Sequence, residues 1–332
     1  MRRRALEWLA CPATGSALGL EVLEEADDGH VIRGVLRAGS HSYPIEGGVP
    51  RLAQGAGAQG RTADRFGAQW TEFRTLDELY EQQFLGWIAP NRPEDFLDKL
   101  VLEAGCGKGR HSILVSKWGA REVIAIDLGS AVDVAFENCR HLENVHVVQA
   151  DLRKPPVRRR SMDVGFSVGV LHHTPEPEQS FRALESRVRP GGRVVAWVYG
   201  RENNGWIVHG VDPLRMAMTS RLPVETMLQV SKLPAAVVWG LSRGFYRPLS
   251  RGPWAPLGRK VFYQAYMDQL ADFPFHEIHA IVHDHLTPPI AHYVRGPEFR
   301  AWFEGAGLEQ LQIGWHKEMS WRGTGIVPTG AD

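Results

Sequence analysis

The sequence predicts an α/β protein built on a doubly wound, mostly parallel sheet, with a small β module ahead of it and a helical lid inserted into it. Three observations predict this. Between residues 99 and 199, apolar runs of strand length alternate with helix-length amphipathic stretches. The runs are apolar throughout rather than at every second position, as in strands covered on both faces. The first of them ends in a glycine-rich turn, Glu103-Ala104-Gly105-Cys106-Gly107-Lys108-Gly109, at the strand end where an open α/β sheet places its ligand.

In chain order, residues 1–55 contain strand-like pieces at 17–23, 30–37 and 42–45 between Gly- and Asp-rich turns, a small β module. Residues 56–97 begin with a Gly/Ala/Gln linker, then mix aromatic and acidic residues into a helical lead-in. Trp70 and Tyr80 in this stretch would either close over a ligand or pack in the core. The core itself occupies 98–199: KLVLEAG and a helix near 110–118, EVIAID and a helix near 131–142, VHVVQAD, MDVGFSVGV and a helix near 176–188, then GRVVAWVYG. Residues 200–292 break this rhythm for longer than a simple connection allows, so they form a lid or substrate insert. Residues 293–332 resume it with a helix, a strand and a last antiparallel strand in MSWRGTGIV.

Thirty-eight basic residues balance thirty-eight acidic ones, and 43% hydrophobic with 23% charged residues is an ordinary globular composition. Wholesale disorder is excluded, as is the strong positive field of a protein that grips long nucleic acid by charge alone. Cys11, Cys106 and Cys139 are too few and too scattered for a disulfide framework, which suits a reducing cytosol. The apolar run near the start is interrupted by Glu7 and is too short for a signal peptide or a membrane span, so a cytoplasmic location is expected.

Gly105, Gly107 and Gly109 allow a tight turn that brings backbone N–H groups to a ligand at the next helix. Arg110 stands where a dinucleotide fingerprint needs Gly or Ala, and Glu103 adds an acid where a pyrophosphate wants none. A nicotinamide cofactor is disfavoured and a cationic one favoured. Asp127, eighteen residues after Gly109, can accept from both hydroxyls of a ribose, and Asp151 ends the next strand.

LVLEAGCGKGRHS, VIAIDLG, VVQADLRKPP, MDVGFSVGVLHHTPEPEQSFRAL and RVRPGGRVVAWVY together resemble, in order and spacing, the motifs of class I S-adenosylmethionine-dependent methyltransferases with a Leu-His-His turn after the fourth strand. That resemblance implies S-adenosylmethionine as cofactor and a seven-stranded Rossmann-like sheet of order 3-2-1-4-5-7-6. It places the methionine moiety on Glu103 and the loop from Gly105 through Cys106 and Gly107 to Gly109, and the ribose on Asp127 beside Leu128. Asp151 and Leu152 would take the adenine, and Val168 would pass beside the adenosine. LACPATGSALGLE with HSYPIEGGVPRL resembles a small zinc-ribbon domain, but Cys11-Pro12 is followed by Ala13 and Thr14 rather than a second ligand. The module is therefore expected to be degenerate and metal-free.

For the acceptor, His173 and secondarily His172 lie on the turn after the fourth strand and titrate in a useful range for a base. His276, His279, His283, His285 and His292 cluster late in the lid. His283, His285 and Tyr293 are expected to wall the acceptor pocket, with a metal as the alternative for the cluster. Aromatic lid residues (Trp206, Trp239, Phe245, Tyr246, Trp254, Phe262, Tyr263 and Tyr266) favour a small organic acceptor, with a membrane-facing surface the alternative for that segment. Nucleic acid is not expected as a partner, and RKPPVRRR at 153–160 reads as a solvated loop. The remaining alternatives are an RNA or protein methyltransferase and a cofactor-binding module without turnover.

Overall fold

The computed structural model describes residues 1–330 apart from 54–66, 68–71, 73–78, 218–221, 252–254, 259 and 289. Trp70, Trp254 and Pro289 thus lie outside the described residues. The chain opens with a four-stranded antiparallel sheet in sequential order, β1 (Gly19–Glu25), β2 (Val31–Ala38), β3 (His41–Glu46) and β4 (Val49–Pro50). Period-two burial of Leu36 and Ala38, then Tyr43 and Ile45, gives this sheet one apolar face. It is seated on the larger sheet by backbone bonds, Ala10 N–H to the Pro156 carbonyl at 2.9 Å and Leu52 N–H to the Gln149 carbonyl at 2.8 Å. Gly48 permits the close approach: its φ is +83° and a Cβ there would lie 2.3 Å from the Phe136 ring.

The larger sheet consists of β5 (Leu100–Ala104), β6 (Glu122–Asp127), β7 (Val145–Gln149), β8 (Met162–Val168), β9 (Val188–Tyr199), β10 (Glu309–His316) and β11 (Ser320–Ile326). Their spatial order is β10-β11-β9-β8-β5-β6-β7, with β11 antiparallel to both neighbours and the other pairs parallel. Counted from β5 as the first strand, this is the order 3-2-1-4-5-7-6 that the motifs imply. Every residue of β5 and β8 is buried, which accounts for their unbroken apolar runs. Glu103 pairs with Ala125 on one side and Phe166 on the other, so the carboxyl ends of β5, β6 and β8 finish at one level.

Helices α1 (Leu79–Ile88), α2 (Arg110–Lys117), α3 (Ala131–Cys139) and α4 (Pro177–Glu185) flank the first half of the sheet. In α1 the residues at four-residue spacing, Tyr80, Phe84 and Ile88, face inward, with Leu79, Leu85 and Trp87 partly buried against the same core. After β9 the insert is helical: α5 (Asp212–Ala217), α6 (Val224–Val230), α7 (Lys232–Leu241), α8 (Arg247–Ser250), α9 (Ala255–Gly258), α10 (Gln264–Leu270) and α11 (Phe275–Leu286). Helix α12 (Gly296–Gly305) returns the chain to β10. Buried residues form one core under the N-terminal sheet and α12, and another beneath α1, α2 and α11. No helix among the described residues is long and apolar enough to cross a membrane.

Candidate active site

The glycine turn after β5 is held open from behind. Gly105 N–H and Cys106 N–H donate to the Ile126 carbonyl at 2.8 and 2.9 Å, and Gly105, Gly107 and Gly109 all have positive φ. At Gly105, with φ +90°, a Cβ would come within 2.2 Å of the Val170 side chain, so only glycine fits. Asp127 closes the turn from β6. Its Oδ2 accepts from Gly107 N–H at 2.9 Å and its Oδ1 from Gly129 N–H at 3.1 Å. Burial raises its pKa above the usual aspartate value, opposed by these backbone donors. Each oxygen keeps a lone pair for a further donor, as a vicinal diol requires.

These groups line a cavity that is partly open to solvent. On its lower side lie Gly105, Cys106, Gly107, Asp127, Leu128, Leu152, Val168 and His173. This set, the apolar Leu128, Leu152 and Val168 beside a diol-accepting carboxylate and a glycine cradle, fits an adenosyl group. Across from it the lid contributes Tyr266, Glu277, Asp284 and His285, and the turn between β10 and β11 contributes Lys317.

Some residues singled out in the sequence lie outside this cavity. Glu103 is buried beneath the turn, taking a hydrogen bond from the Ser112 hydroxyl and lying 3.1 Å from His111 Nδ1. Burial pushes its carboxyl up to about 8 and pushes His111 well below the usual histidine value, so both are neutral at pH 7. Gly109 packs against Cys139. Asp151 is turned onto Arg153, whose Nε and Nη2 donate to it at 3.0 and 2.6 Å. His172 is fully buried beside Tyr199, ring centroids 4.1 Å apart. His283, also fully buried, lies against Thr287.

His173 lines the cavity, with Nδ1 2.8 Å from the Ile290 carbonyl, which fixes that nitrogen as the donor. Its expected titration near neutrality is corrected: burial pulls its pKa down to about 4. Tyr199 Oη donates to Asp284 Oδ2 at 2.8 Å, and its ring stacks between His285 and Tyr293 at 5.0 and 5.8 Å. His285 Nδ1 and Tyr293 Oη are buried with no hydrogen-bond partner among the described residues; His285 lines the cavity, whereas Tyr293, expected to wall it, packs against Tyr199 outside the lining. Sequence reading missed Tyr199, Glu277, Asp284 and Lys317. The acids at 277 and 284, seven apart on one helix, were the available signal. Among the described residues no group of three His, Cys, Asp or Glu side chains is placed to hold a metal.

Residues 102–196 match the model of a methyltransferase domain. The chain is 32% identical over 102 residues to the tRNA U34 carboxymethyltransferase of Cellvibrio japonicus, covering 30% of this chain and 32% of that protein. It is 36% identical over 121 residues to the protein of the same name from Methylococcus capsulatus, covering 36% of each. The chain thus spans about a third of the length of the curated relatives it matches. Among solved structures, an Aquifex aeolicus S-adenosylmethionine-dependent methyltransferase superposes on 79% of this chain and 98% of its own, at 14% identity and a TM-score of 0.42.

These relatives overturn two expectations. The small organic acceptor, and the exclusion of nucleic acid as a partner, do not stand, because the matching proteins are named for a tRNA acceptor. The structure shows why the lid misled. Of the aromatic residues that suggested a small apolar pocket, Tyr266 lines the cavity, whereas Trp206, Trp239, Phe245 and Phe262 are exposed on the outside.

Proposed function

We propose, from the premise that residues 102–196 are a class I S-adenosylmethionine-dependent methyltransferase domain, that this chain methylates a nucleobase of RNA, with tRNA the substrate class to test first. The observation that carries this reading is the name shared by the curated relatives, tRNA U34 carboxymethyltransferase. The aromatic and hydrogen-bonding lining of the lid side suits a flat base taken out of its stack, which needs both a ring surface and polar edges.

The bound sulfonium supplies an electrophilic carbon, and the chain's task is to hold donor and acceptor in line and to keep water out. Asp127 accepts the ribose hydroxyls, Leu128, Leu152 and Val168 flank the adenine, and the Gly105–Gly107 backbone cradles the rest. Glu103 acts from beneath as an uncharged support of the turn. On the other side Asp284, held by the Tyr199 hydroxyl, offers a carboxylate oxygen to an N–H or O–H of the incoming base. His173, neutral across the physiological range, shapes the rim between the two halves rather than exchanging a proton there.

The test is to incubate the purified chain with methyl-labelled S-adenosylmethionine and bulk tRNA, digest the RNA and identify labelled nucleosides by mass spectrometry. Label in one modified nucleoside is expected. Donor binding with label appearing in protein or metabolite fractions and none in RNA would overturn the acceptor. A carboxymethyl rather than methyl product, formed when the carboxylated sulfonium is supplied, would extend the likeness to the relatives from acceptor to transferred group.

A further inference from the structure

From Lys232 to Ser250 the chain is one continuous helix: α7, a wider π-helical turn at Ser242–Tyr246, then α8. Its two faces are the reverse of the usual arrangement. The side packed on α11 and the core carries Ser231, Ala235 and Ser242, all fully buried, with Ser231 Oγ 2.9 Å from His279 Nε2. The outward side carries the bulk: Leu233 is 75% exposed, Val237 53%, Leu241 47% and Phe245 48%, with Gly240 and Gly244 exposed between them. Isolated exposed apolar residues need no explanation, but a stripe running over successive turns of one helix does.

Along the chain the charge of this segment has one sign, with Asp268 and Asp272 reaching it from the end of α10, where they meet Arg247. Residues 226–267 contain no Asp or Glu and six Lys or Arg, at 232, 243, 247, 251, 259 and 260. Two of these serve the fold. Arg243 donates to the Phe273 carbonyl at 2.8 Å and lies over the Trp239 ring, and Arg247 pairs with Asp272. Lys232, Arg251 and Lys260 stand exposed along the helix and just beyond it.

We infer that this outward face of α7 and α8 docks the protein on an anionic lipid surface, the apolar stripe entering the headgroup boundary and the exposed cations meeting lipid phosphates. The competing occupants fit less well. A second copy related by a two-fold axis would set the exposed Lys232, Arg251 and Lys260 against their own copies. RNA would satisfy the cations but leaves Leu233, Val237 and Leu241 in water, since aliphatic side chains offer no platform for stacking bases. The inference is independent of the acceptor and stands or falls without it.

The test is co-sedimentation of the full-length protein with vesicles of phosphatidylcholine alone or with phosphatidylglycerol added, at low and high salt. Binding about tenfold stronger to the anionic vesicles, weakened by salt, is expected. Val237→Glu and Leu241→Glu, both at exposed positions, should abolish it while S-adenosylmethionine affinity by calorimetry stays unchanged, which shows that the variants fold. Failure to sediment at low salt, or sedimentation indifferent to both substitutions, overturns the inference. So does a wild-type dimer that either substitution converts to monomer, which assigns the face to a second copy. A loss of RNA affinity in the variants with no vesicle binding in the wild type overturns it equally and assigns the face to the nucleic acid.

Discussion

The two sides of the cavity are built differently. The side proposed for the donor comes from the carboxyl ends of three neighbouring parallel strands, each followed directly by its turn, so Gly105, Asp127 and Val168 converge because the sheet register brings them level. Backbone does most of the holding there, down to the two N–H groups that orient Asp127. The opposite side, proposed to receive the acceptor, is assembled by side chains from β9, α10, α11 and the β10–β11 turn, which are brought together by tertiary packing. One side is fixed by topology, the other by packing. Substitutions on the first should therefore disturb donor binding and stability together, and those on the second should disturb turnover alone.

The severest break should be Gly105→Ala. At φ +90° an alanine is strained, and its Cβ would overlap Val170, so a loss of roughly 2–4 kcal/mol in stability is expected together with loss of donor binding. Thermal unfolding and calorimetry on the same sample check both; a stable variant with normal affinity would show that the turn yields more than a topology-fixed site should. Next comes Asp127→Ala, which removes charge-assisted acceptors of the donor and leaves the Gly107 and Gly129 N–H groups without their partner, with a cost of about 2 kcal/mol in donor affinity, roughly thirtyfold in Kd, and a smaller loss of stability. Asp284→Asn should do the reverse, leaving donor Kd within error and lowering kcat by about tenfold, near 1.4 kcal/mol. If Asp284→Asn weakens donor binding as much as Asp127→Ala does, the division into two halves fails.

That division also explains what the sequence made legible. The strand order, the antiparallel last strand and the glycine turn were readable because each is a local pattern: an apolar run, a turn residue, a helix period. Leu128, Leu152 and Val168 followed because they adjoin such turns. Asp151 could not be judged, because its capture by Arg153 depends on a rotamer that spacing does not encode. The lid aromatics misled for a related reason. Composition counts Trp239 and Phe245 but does not say which side of the helix they occupy, and here it is the outer one. Lys317 was hidden because it reaches the site from a turn whose partner strand lies more than a hundred residues earlier in the chain.

The smallest effect sharpens the comparison at the base of the donor side. Glu103 appeared in the sequence as a donor ligand, yet it sits under the turn as an uncharged partner of Ser112 and His111. Its carboxyl, ordinarily near 4.5, is held at about 8 by burial. Between those values the unfolded chain has released the proton and the folded chain retains it, so stability falls as pH rises through this window and levels off above it. His111 has the opposite tendency, but that acts below about 6.5, where the unfolded histidine gains a proton that the folded one refuses. Other groups titrate between pH 7 and pH 9, the buried Met1 amino group with the opposite sign, so the Glu103 contribution, a decline on the order of 1 kcal/mol, is read as the difference between the wild type and a variant that cannot ionise at this position. Glu103→Gln, which keeps the Ser112 hydrogen bond and cannot ionise, should flatten this decline in urea unfolding at the two pH values and leave donor affinity unchanged. A variant that keeps the wild-type slope would mean that Glu103 is already ionised in the folded protein. One that loses donor affinity would move Glu103 from support to ligand and make the donor side depend on side chains as much as the acceptor side does.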